Sequence, residues 1–278
     1  MTERILALLA LILAVTAYLA GVQHVRELPR PKAAESTLSV AVPPLLQVAL
    51  AGGDRYLAAN MGVFRAVVAG TDKLDPAGYA VLARVQQDVA RLNPAHEDNY
   101  YIAQSILPWM GQVEAAQDIL RRAAGARPRD FLPPFFLGFN TFYFQHEPIA
   151  AARAMRAAAD RVSGEQRLAL LNISAKYYEK SDDPAFAIGM IRGLAENSRS
   201  PALRQYLQLR IQRLEGLQAL RAAAAEYRRR TGHPLRRLDD LVQARIMDAL
   251  PQDPLGQGYM LDPAGEPALV ASPQARLQ

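Results

Sequence analysis

The sequence predicts an all-α protein: a solenoid of antiparallel helix pairs, carried on an N-terminal transmembrane helix and closed by a small C-terminal helix-plus-hairpin cap. Three observations predict it. Alanine, leucine and arginine, strong helix formers, dominate a 278-residue chain that is 50% hydrophobic and only 7% aromatic. Small and bulky residues recur at a 34-residue interval through the middle of the chain, as stacked helix pairs require. Finally, the eighteen residues from Ile5 to Val22 carry no charge, close to the shortest helix that crosses a bilayer. The organisation expected is an anchor over 1–23, a linker over 24–43, a helical repeat domain over 44–213 and a C-terminal region over 214–278.

The apolar run competes with a cleaved signal peptide. Its best cleavage point, Val15-Thr16-Ala17, lies inside the run and would leave Tyr18-Leu19 at the mature end, so an uncleaved anchor is expected. Leu19-Ala20-Gly21 is followed by Val22 and not by the cysteine that lipidation needs. Arg26, Arg30 and Lys32 behind the run argue for a domain kept in the cytoplasm. The position of the run at the extreme N-terminus argues for export. The expectation is a bacterial inner-membrane protein, single pass, with its bulk in the periplasm of a Gram-negative cell. The prolines and small residues of 27–43 read as a spacer.

The repeat is clearest from Glu97 to Pro128, with Tyr100, Ala103, Gly111, Ala116, Leu120, Ala123 and Pro128 spaced as large, small, turn, small, large, small and terminating residues. Small residues let two antiparallel helices approach, bulky ones fill the seam, and proline ends the second helix. Thirty-four residues separate Pro94 from Pro128, Gln104 from Gly138, Ala116 from Ala150 and Ala123 from Ala157. Looser units close at Leu92-Asn93-Pro94 and begin near Leu168. On these residues, 63–201 resembles the tetratricopeptide-repeat family, with Gln104 and Pro134 as departures. An irregular helical bundle is the alternative. Loops are expected at Gly52-Gly53, Asp72–Asp75, Asn93–Glu97 and Ser181–Pro184, with Asp54, Asp98 and Asp183 as helix caps.

The resemblance implies a concave face lined by the first helix of each unit, and capture of a peptide or partner helix there. Six of the eight phenylalanines fall between Phe131 and Phe144. In the family's register Phe135, Phe139 and Phe142 would line a groove, with Tyr101 at the matching place one unit earlier. The alternative is that these rings are core.

Other chemistries find little support. The chain has no cysteine, which excludes disulfides and thiolate metal sites, and four histidines. His146-Glu147-Pro148 lacks the second histidine of a metalloprotease helix, and His96 reads as a loop residue beside Glu97 and Asp98. A net charge of +5 without a dense basic block gives no case for nucleic acid. No catalytic residue, metal, cofactor or small-molecule substrate is expected.

Beyond Glu215 a basic helix is expected to end at a Gly232 cap, followed by a short helix over about 235–245. Turns at Asp253-Pro254 and Asp262-Pro263 then flank a hairpin between Gln257–Leu261 and Pro267–Val270. Gly232/Pro234, Leu238/Leu241, Leu250-Pro251-Gln252-Asp253-Pro254-Leu255-Gly256 and Tyr259 resemble the tail of type II secretion major pseudopilins, over about fifty residues. That family's N-terminal processing motif is absent, so the tail is expected to cap the solenoid or dock on a secretion machine. The function expected is a membrane-anchored scaffold for protein partners, in envelope assembly or secretion. A structural subunit of a membrane complex and a peripheral envelope enzyme are the alternatives.

Overall fold

The computed structural model describes residues 2–27, 41–68 and 74–270, without the side chains of 2–9, 12 and 24–27. It is mostly helical. The helices are α1 (Thr2–Glu27), α2 (Pro44–Leu50), α3 (Arg55–Val68), α4 (Pro76–Leu92), α5 (Glu97–Ile106), α6 (Val113–Ala126), α7 (Leu132–Tyr143), α8 (Pro148–Ala159), α9 (Gly164–Tyr178), α10 (Pro184–Glu196), α11 (Pro201–Thr231) and α12 (Asp240–Gln243). A 3-10 turn, Pro108–Met110, joins α5 to α6, and strands β1 (Tyr259–Leu261) and β2 (Pro267–Leu269) form one antiparallel hairpin.

Local chemistry sets the helix starts. Proline opens α2, α4, α8, α10 and α11, where its missing N–H costs nothing and its fixed φ suits the helix. Asp54 accepts from the Tyr56 and Leu57 amides, Asp75 from Gly78, Asp183 from Phe186 and Ser200 from Leu203. The expected cap at Asp98 is corrected. The cap falls two residues earlier, at His96, and α5 begins at Glu97, so Asp98 lies in the first turn and only its charge assists, at the positive end of the dipole.

Extensive contacts join helices that follow one another in the chain: α3 with α4, α5 with α6, α6 with α7, α7 with α8, α8 with α9 and α10 with α11. Alanine permits the approach. Ala103, Ala116, Ala123, Ala151, Ala152, Ala158 and Ala175 are all buried between helices. At Gly138 a Cβ would lie 3.0 Å from the Ala151 carbonyl and 3.1 Å from Met155, so α7 and α8 meet only because that side chain is absent. One core joins α4, α5 and α6 around Leu82, Tyr100, Leu107, Ile119 and Leu120. A second runs from α8 through α11, around Met155, Tyr178, Ile191, Leu207 and Ile211.

The expected anchor is not shown as a membrane span. Among the described residues no helix is long and apolar enough to cross a membrane. The Ile5–Val22 run does lie within the continuous helix α1, and its described side chains Leu11, Leu13, Tyr18 and Leu19 are exposed. The linker's residues 28–40 and the loop residues 69–73 lie outside the described residues.

The C-terminal region is built on α11. The basic helix expected from Glu215 is instead the second half of one 31-residue helix starting at Pro201. It runs straight through the expected 213/214 boundary and ends, as expected, at Gly232 with φ 75°. The short helix expected over about 235–245 is a single turn, α12. Leu238, Leu241, Leu250, Tyr259 and Leu261 pack with Leu220 and Ala224 of α11 into a third core. Asp253 gathers the Leu255, Gln257 and Gly258 amides, and Asp262 those of Ala264 and Glu266. The tail is locked to α11 by Arg213, buried and 3.0 Å from Asp253, which also donates to the Val270 carbonyl. Tyr259 donates its hydroxyl to the Arg213 carbonyl over Gly216, where a Cβ would overlap the ring. Burial and the nearby Asp253 push the Tyr259 phenol up to about 12.

Candidate functional site

The central hairpins are pinned together by side chains about one repeat apart. The Arg127 guanidinium donates to the Asp130 and Glu97 carboxylates, at 2.8 and 2.7 Å, and to the Ala95 carbonyl. Thirty-four residues later, Arg161 donates to the carbonyls of Ala124, Arg127 and Asp130. The α6–α7 and α8–α9 loops thus each satisfy backbone acceptors about thirty-four residues back, two helices earlier in the chain. Tyr100 donates to Asp130 at 2.6 Å and the Leu132 amide donates to it at 3.0 Å. Burial alone would raise the Asp130 carboxyl, but the bonds from Tyr100, Arg127 and Leu132 hold it below its ordinary value. Burial, with the Asp130 carboxylate beside it, drives the Tyr100 hydroxyl well above its ordinary value.

Buried amides continue the lacing. Gln104, which occupies a position expected to be small, exchanges two hydrogen bonds with Asn140 of α7, at 3.2 and 2.7 Å. Gln117 of α6 donates to Thr141 and Gln145. Buried amides with matched partners fix register, because any slip would strand them without bonds. These bonds tie α5 and α6 to α7, the helix that carries most of the aromatic rings.

The four residues singled out in the sequence fall in three separate groups of rings. Tyr101 is 48% exposed and meets Phe136 edge to face at 5.8 Å. Phe136 meets Phe135, and Phe135 meets Phe131, so Tyr101 and Phe135 belong to one string of rings. Phe139 stacks on Tyr143 at 5.7 Å. Phe142 stacks on Tyr177 of α9 at 4.0 Å, nearly parallel. All three phenylalanines are half-buried, and Phe135 and Phe139 also rest on the second core. The rings are thus both packing and surface.

The sequence reading missed the residue that extends this surface furthest. Trp109, the chain's single tryptophan, sits on the 3-10 turn, 52% exposed. It touches Tyr143 at 5.6 Å and Phe144 at 5.1 Å. Its flanking Pro108 and Gly111, which takes φ 75° at the turn, were the signal available: a lone tryptophan on a loop does not belong to a helix core. Phe136, Tyr143, Phe144 and Tyr177 complete the set.

The arrangement offers aromatic faces and edges on a rigid frame, suited to apolar, proline or cationic side chains of a partner. His96 pairs through Nε2 with Asn60 at 3.1 Å, and His146 is exposed at a φ of 57°. Among the described residues no cluster of histidine, aspartate and glutamate could hold a metal ion. Compared with known proteins, the chain matches no protein family model, no curated protein and no solved structure.

Proposed function

We propose that the chain is a membrane-tethered helical-repeat scaffold of the tetratricopeptide kind, holding a protein or peptide partner on the aromatic surface of α5, the 3-10 turn and α7. The observation that carries it is that exposed Tyr101 and Trp109 each head a group of half-buried rings, on helices joined by buried hydrogen bonds. Exposed aromatics on a rigid frame lose little entropy when covered, and such residues dominate binding energy at interfaces. The uncharged run in α1 supports a bilayer tether, with the repeat domain on the periplasmic side and the tail as its cap.

Site-specific crosslinking tests the binding surface. A photoreactive benzoylphenylalanine at Trp109 or Tyr101, in the full chain within its native cells, is expected to give a discrete protein adduct. At Arg121 or Gln208, exposed on α6 and α11, it is expected to give none. Equal adducts at all four positions, or none at Trp109 and Tyr101, would contradict the proposal.

A further inference from the structure

The aromatic surface is built from stretches of the chain that carry no positive charge. Residues 98–120 and 130–152 hold the rings of the two groups headed by Tyr101 and Trp109. Neither stretch contains a lysine or arginine, in a chain that has 32 of them and a net charge of +5. Arg127 does reach the buried ring of Tyr100, at 5.7 Å, but its guanidinium is held by Asp130 and Glu97.

Acids are present where cations are missing. Asp118 and Asp130 are paired, with Arg122 and Arg127. Asp98, Glu114 and Glu147 are exposed and form no ion pair among the described residues. Two of these three stand beside the exposed rings. Asp98 precedes Tyr101 by one turn of α5, on the same side of the helix. Glu114 accepts from Gln145, the chain neighbour of Phe144, whose ring meets Trp109 edge to face at 5.1 Å.

The two exposed rings also share a side. Tyr101 touches Phe136 and Trp109 touches Tyr143. Those partners are two turns apart on α7, so they face one way, roughly 10 Å from each other along the helix. A ring face attracts a cation, arginine above all, and a carboxylate at its edge strengthens the attraction. A purely apolar or proline-rich partner would leave Asp98 and Glu114 unused, and an acidic one would meet them as like charges. The field of the whole basic chain draws acidic partners; this surface is set against that field.

We infer that the partner segment held here is basic, with arginine or lysine side chains laid on Tyr101 and Trp109 and their charges met by Asp98 and Glu114. This rests on the binding surface proposed above and names the chemistry of its partner.

The single tryptophan lets intrinsic emission report from the site itself. The full chain in nonionic detergent is titrated with an octapeptide alternating arginine and glycine, with its citrulline analogue, which keeps the shape without the charge, and with its glutamate counterpart. The arginine peptide is expected to shift Trp109 emission and to bind about tenfold more tightly than the citrulline peptide, with an affinity that falls as salt is raised. Asp98→Asn/Glu114→Gln is expected to remove most of that preference while leaving the melting temperature unchanged, since both side chains are exposed. Equal binding of the arginine and citrulline peptides, tighter binding of the glutamate peptide, no binding of any of them, or a preference untouched by the double substitution would overturn the inference. The benzoylphenylalanine adducts decide the surface separately. A discrete adduct at Trp109 alongside any of those results leaves the surface standing with a partner that is not basic, whereas loss of the adducts removes the surface itself.

Discussion

Helices α3 and α7 are both apolar, and their inner faces are built alike. Each carries a glycine against a neighbour: a Cβ at Gly62 would lie 2.6 Å from Val89, and one at Gly138 would lie 3.0 Å from the Ala151 carbonyl. Their outer faces differ. On α7 each phenylalanine has a ring partner and is half-buried. On α3, Phe64 is 72% exposed and its stripe faces outward. The difference teaches that apolar content alone does not mark a core. What distinguishes the two is whether the next helices along the chain supply a second wall. For α7 they do, through Tyr177 of α9 and the second core. The outer face of α3 has no such wall among the described residues.

Substitutions sharpen that contrast, beginning with the largest effect. Gly138→Leu forces a side chain into the Ala151 carbonyl and Met155 and is expected to destabilise by about 3 kcal/mol, the upper end for overpacking. Denaturant unfolding of the detergent-solubilised chain reads it. Arg161→Ala removes three bonds to loop carbonyls. The expected loss is about 2 kcal/mol, within the usual range for charged hydrogen bonds, with faster amide exchange in the loop at 127–131. Phe142→Leu keeps volume but loses the stack on Tyr177, for about 1 kcal/mol. Phe64→Ser, by contrast, is expected to change unfolding free energy by less than about 0.5 kcal/mol, although it removes a larger exposed ring.

Acid gives a further contrast. The Asp130 carboxyl is held below its ordinary value by Tyr100, Arg127 and the Leu132 amide, which outweigh its burial. A depressed carboxylate stabilises the fold above its unfolded value, near 4, and that stabilisation is lost as pH falls through the lower folded value. The stability of the wild-type chain is therefore expected to fall more steeply below pH 4 than that of Asp130→Asn. Parallel slopes for the two chains would remove Asp130 from the acid response.

What was legible in the sequence follows from which forces are local. The Asp54 and Asp183 caps, the Gly52-Gly53 turn and the Asp253 and Asp262 turns depend on neighbours within a few residues, and each is present. Asp98 failed because the helix starts two residues earlier, with His96 in the cap position. The start expected at Glu215 failed because α11 runs unbroken from Pro201, and Gly216 within it admits the Tyr259 side chain. Arg127 and Arg161 were visible at a 34-residue interval, yet loop arginines look solvated until the carbonyls they bind, 31 to 37 residues back for Arg161, are brought near. The clustering of phenylalanines between 131 and 144 was plain. Their depth was not, since it depends on α9 to α11, which follow later in the chain.

The central claim is that the aromatic surface at Trp109 and Tyr101 is where a protein partner is held. Met61, Phe64, Tyr101 and Trp109 have similar exposure, 55, 72, 48 and 52%, so the fold alone would let a cysteine at any of them react at comparable rates. Labelling each single-cysteine chain with a water-soluble maleimide, in native membranes and after purification, measures what else covers them. The account predicts rapid labelling at all four positions of the purified chain, and protection at 101 and 109 in native membranes. Equal labelling of 101 and 109 before and after purification would contradict it.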